Sequence, residues 1–127
     1  MDKLIKEYSS FVNDQITSYK NEEQLLQDND RKDESNFFKI RGNVCDIFLT
    51  LMNATIKAVE AKHLEEKEMK ELFISEYLKK FETIPMNWKG RLEQGKRVGD
   101  SEIIAIEEAK FDTMNLLKEN FLKLINI

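Results

Sequence analysis

The chain has 127 residues, 41% apolar and 35% charged, with a net charge of −4. That length and apolar content suffice for one domain with its own core and exclude a disordered chain, so residues 1–127 are read as one domain. Four glycines and one proline are too few turn residues for a sandwich or barrel, the negative charge offers no global attraction to nucleic acid or anionic membrane, and a single cysteine precludes an intrachain disulfide.

The first segment, from about Asp2 to Leu26, carries Leu4, Tyr8, Phe11, Val12, Ile16 and Tyr19 at three- and four-residue spacing, the mark of one helix face. Asp2 is its expected N-cap. The polar, Asp- and Asn-rich stretch that follows reads as a loop. A second helix is expected from Asp33–Ser35 to about His63. Its first half is apolar around most of its circumference (Phe37, Phe38, Ile40, Val44, Cys45, Ile47, Phe48, Leu49), so other helices should surround it. It is read as the long central helix, roughly 45 Å in length.

Beyond Val59 the apolar stripe runs onto Glu66, Lys67 and Lys70 and resumes out of phase at Met69, Leu72, Phe73, Tyr77 and Phe81. The phase slip predicts a turn near His63–Glu66, with Glu65 at the cap position of a third helix that ends near Glu82, before Pro85. Pro85 can open a short helical turn over Met86–Gln94. Gly90–Gly99 holds three of the four glycines and reads as irregular. A final helix, capped by Asp100 or Ser101, runs to the C-terminus on the stripe Ile103, Ile106, Lys110, Met114, Leu117, Phe121 and Leu124. The expectation is all-α: an antiparallel bundle of about four helices. The generous apolar surface of the second and fourth predicts a homodimer through them.

Several stretches imitate chemical motifs. Gly90 to Lys96 spells GxxxxGK, but a phosphate-binding loop needs Ser or Thr next, where Arg97 stands, and a strand before it. Glu60 and His63 have the Glu-x-x-His spacing that di-iron bundles use in pairs; with one histidine in the chain, only a dimer could complete such a metal site. Asp28–Asp33 begins like a calcium loop but has Asp33 where Gly is required and Lys39 where Glu is required. Cys45 lies among apolar residues and reads as a buried thiol; on one helix it would stand about 27 Å from His63, too far for a Cys–His pair. Asn53-Ala54-Thr55 is a sequon by chance, mid-helix. No catalytic residue, metal ligand or cofactor is assigned, and the chain is expected not to be an enzyme.

One region contrasts with the rest. Lys79–Gly99 has six bases against two acids, a net +4, which leaves −8 for the remainder. It also contains the only Trp and the only Pro. Trp and Arg are the residue types most enriched in binding hot spots. Trp88, Lys89, Arg91, Lys96 and Arg97 are therefore the candidate contact residues. A protein partner fits them best; nucleic acid, with Trp88 stacking on a base, is the alternative. A third arrangement folds Trp88 and Met86 back onto the bundle and leaves the bases in water.

No apolar run reaches the ~18 residues that a membrane-spanning helix needs, and MDKLIKEYSS lacks a signal-peptide core, so a cytoplasmic protein without membrane contact is expected. Lys outnumbers Arg 16 to 4, a composition suited to an AT-rich bacterium or its phage. The chain reads as a small helical binding or regulatory module.

Overall fold

Side chains repeating every fourth residue bury one stripe of a helix, and the first helix does this with Leu4, Tyr8, Val12 and Ile16. The computed structural model describes residues 1–126. They form α1 (Asp2–Asp28), α2 (Lys32–Glu60), α3 (Glu66–Thr83), α4 (Met86–Val98) and α5 (Ser101–Ile125), with no strand among the described residues. Four helices are long; α4 has 13 residues.

Three of the helix ends use a residue in the left-handed region. Asp30 (φ 57°) follows α1, His63 (φ 53°) follows α2 and Gly99 (φ 71°) follows α4. At the first, the Arg31 N–H donates to the Leu26 carbonyl at 2.8 Å and Asp30 N–H to Gln27 at 3.1 Å, so these two carbonyls of the last turn of α1 are satisfied. The turn that the phase slip predicts lies between Glu60 and Glu66. Glu65 takes the extended N-cap conformation (φ −65°, ψ 156°), and its carbonyl accepts from Met69 N–H at 2.8 Å. The Glu65 side chain makes no capping bond. Asp100 does, accepting from the N–H groups of Glu102 and Ile103 at 3.1 Å each.

α2 packs against α1, α3 and α5, while α5 meets all four other helices. Along α1 and α2 the partners recede from the connecting turn together: the Ser35 hydroxyl donates to the Glu23 carbonyl at 3.1 Å, and Tyr19 lies beside Phe38 with ring centroids 6.2 Å apart. Gly95, Arg91 and Trp88 of α4 meet Ile103, Glu107 and Phe111 of α5 in the same fashion.

The centre is aromatic. Tyr8, Phe48, Phe73, Tyr77, Phe81 and Phe121 are all buried, with Phe48 stacked on Phe81 at 4.5 Å and Tyr77 edge-on to Phe121 at 5.0 Å. The Tyr77 hydroxyl donates to the Phe48 carbonyl at 3.0 Å and lies 2.8 Å from the Tyr8 hydroxyl. With its own proton committed to Phe48, Tyr77 must accept from Tyr8. One hydroxyl chain thus ties α1, α2 and α3 together, and it is satisfied at each step.

Cys45 is buried beside this cluster. Burial, with the nearby Asp46 carboxylate, pushes its thiol up to about 12. The thiolate is the reactive form, so Cys45 is expected to resist a thiol reagent such as dithionitrobenzoate at pH 8 until the protein is unfolded by denaturant. Rapid labelling of the native protein would contradict its burial.

Candidate functional site

The basic stretch is helical. Gly90–Gly99, which reads as irregular from its glycines, is helix up to Val98 and turns only at Gly99, whose positive φ suits glycine. The GxxxxGK segment therefore cannot cradle a phosphate as a loop; its N–H groups face along α4.

Gly95 explains why the helix survives its own sequence. A Cβ built there would lie 2.8 Å from Ile103 Cγ2 and 3.2 Å from Ile103 Cβ. The missing side chain lets α5 approach, and this packing offsets the weak helix propensity of glycine. At Gly90 a Cβ would meet nothing within 4 Å. Two opposite results are expected. Gly90→Ala stabilises the protein by roughly 0.5–1 kcal/mol. Gly95→Ala destabilises it by about 1–2 kcal/mol, because overpacking against the stiff β-branched Ile103 exceeds the propensity gain. Urea unfolding of the two variants checks the pair; stabilisation by both would mean that α4 does not sit this close to α5.

Two further contacts hold α4. Trp88 is half-buried, its ring edge-on to Phe111 at 5.9 Å, with the Lys110 ammonium 5.7 Å from its centroid. Arg91 Nε lies 3.3 Å from Glu107 Oε1, which Lys110 Nζ also meets at 3.1 Å. Glu107 is fully buried, and its second oxygen, Oε2, has no hydrogen-bond partner.

The five candidate residues thus divide. Trp88 turns inward onto α5, and Met86, grouped with it as an alternative plug, is 68% exposed. Arg91 is largely in water yet tied through Nε to Glu107. Lys89, Lys96 and Arg97 are exposed. Lys89 and Lys96, two turns apart, share one edge of the helix. Glu107 was not anticipated, although the signal exists: it lies seven residues before Met114 and fourteen before Phe121, on the buried stripe. A carboxylate in an apolar register marks a buried ion pair.

The other motif-like stretches do not assemble. α2 ends at Glu60, and His63 is an exposed residue in the left-handed region, so the two are not at helical spacing and His63 does not close the apolar stripe. No group of three or more acidic, His or Cys side chains suited to a metal ion occurs among the described residues. Asp28 to Asp33 spans the end of α1 and the start of α2. No helix of the described residues is long and apolar enough to cross a membrane. No family model matches the chain, and no curated protein or solved structure matches it either.

Proposed function

We propose that this chain is a non-enzymatic, cytoplasmic protein-binding and regulatory module whose contact surface is the outer face of α4. One observation carries the reading: Lys89, Lys96 and Arg97 are exposed on a helix whose inner face is fixed to α5 by Trp88, Gly95 and Arg91. Bases held on a rigid element lose little freedom on binding, which favours affinity for an acidic protein surface. Trp88 acts here as the anchor of α4, with its ring edge-on to Phe111 rather than free for a base to stack on. The apolar side chains that α2 and α5 leave exposed, Ile47 and Leu116, mark a second contact region, and a homodimer that uses these two helices is part of the proposal. So is an antiparallel bundle with α2 as its long central member, which the opposed pairings of α1 with α2 and α4 with α5 support. An adaptor or inhibitor of a larger bacterial or phage complex is the class of role envisaged.

Capture of the tagged protein's partners from nuclease-treated host lysate tests this. One stoichiometric protein is expected with the wild type and none with a Lys89→Glu, Lys96→Glu, Arg97→Glu variant. Capture of material from untreated lysate that disappears entirely on nuclease treatment would replace the protein partner with nucleic acid.

A further inference from the structure

α5 presents a second surface on a different side from α4. Between it and the start of α2 runs a groove of two connected stretches, about 410 and 300 Å³, which share Phe37 and Ala105. Its lining mixes the apolar Phe37, Ala105, Ala109 and Ile106 with the polar Asn36 and Ser101. Four carboxylates also line it: Asp33, Glu102, Glu108 and Asp112. The one base that lines it, Arg41, is held with its guanidinium carbon 5.0 Å from the centre of the Phe38 ring.

We infer that this groove receives the basic face of α4 from a second copy of the chain. The inference rests on reading α4 as a contact surface and names its partner. Charge decides the pairing. Groove against groove would set carboxylates against carboxylates, and α4 against α4 would set bases against bases; like charges across an interface are costly. Only the crossed pairing joins Lys89, Lys96 and Arg97, which outnumber the one acid on their face, Glu93, to Asp33, Glu102, Glu108 and Asp112. Because the two surfaces differ, the contact closes into a dimer when both copies reciprocate and otherwise propagates into rings or chains.

Light scattering on the purified protein tests the inference without any other partner. At low salt the wild type should exceed the 15.0 kDa of one chain and fall toward it as salt screens the charges. Lys96→Glu with Arg97→Glu, and separately Glu108→Lys with Asp112→Lys, should each remain at one-chain mass while keeping the wild-type circular dichroism. An equimolar mixture of the two variants should associate again, since each retains the surface that the other has lost. A wild type that stays at 15.0 kDa in low salt overturns self-association but leaves capture of another acidic protein through α4 standing. Association that persists in both variants overturns the assignment of these two surfaces.

Discussion

Truncation of Tyr77 to alanine is expected to cost about 3–5 kcal/mol, the range for deleting a large buried aromatic side chain. Its ring lies within 6 Å, centroid to centroid, of Tyr8, Phe73, Phe81 and Phe121, so the cavity would open in the middle of the core. Tyr77→Phe separates packing from the hydroxyl. It leaves the buried Tyr8 hydroxyl without its acceptor, a loss of about 1–3 kcal/mol. Tyr8→Phe leaves the Tyr77–Phe48 bond intact and should cost only about 1 kcal/mol. Adding Tyr8→Phe to Tyr77→Phe should then restore part of the loss. Urea unfolding of the three variants measures this. Equal costs for the two single changes would mean that the donor order is not Tyr8 to Tyr77 to Phe48. Burial raises both phenols well above their ordinary value of 10.0. The unfolded chain therefore ionises first as pH rises, and the stability these groups contribute is present below pH 10 and declines above it.

The second large effect concerns the buried carboxylate under α4. Arg91→Ala should destabilise the protein by about 1–2 kcal/mol, below the range for a fully buried pair because the arginine side chain is 61% exposed and solvent screens it. Glu107→Leu should be neutral or stabilising. It removes a buried charge together with the unpartnered Oε2, and it puts an apolar side chain where the stripe of Met114 and Phe121 calls for one. In the Glu107→Leu background, Arg91→Ala should cost almost nothing. Thermal or urea unfolding of the two single variants and the double variant measures the coupling. A Glu107→Leu protein several kcal/mol less stable than the wild type would show instead that the ion pair outweighs its desolvation.

How much of this was legible depended on whether the deciding contact was local. The stripe of Leu4, Tyr8, Val12 and Ile16 is legible because burial follows helical period directly. The turn after Glu60 is legible without glycine or proline, because the apolar faces on its two sides cannot be buried in one phase. The start of α4 over Met86–Gln94 is legible from Pro85, but its continuation to Val98 is not. Two glycines within 13 residues argue against it, and the reason for one of them, Ile103, lies on another helix. Trp88 reads equally as a contact residue and as a side chain folded back on the bundle; what decides is Phe111 and Lys110, which nothing near Trp88 in the sequence announces. Glu107 was hidden because its charge masks a core position.

The basic face of α4 exists only if α4 is held as a helix on α5. Amide hydrogen exchange of the native protein tests that most directly. The expected result is protection across Leu92–Val98, weakened selectively by Gly95→Ala and Arg91→Ala while the aromatic centre stays protected. Exchange of these amides at the rate of an unfolded chain would contradict it: Lys89, Lys96 and Arg97 would then have no fixed arrangement for a partner to recognise.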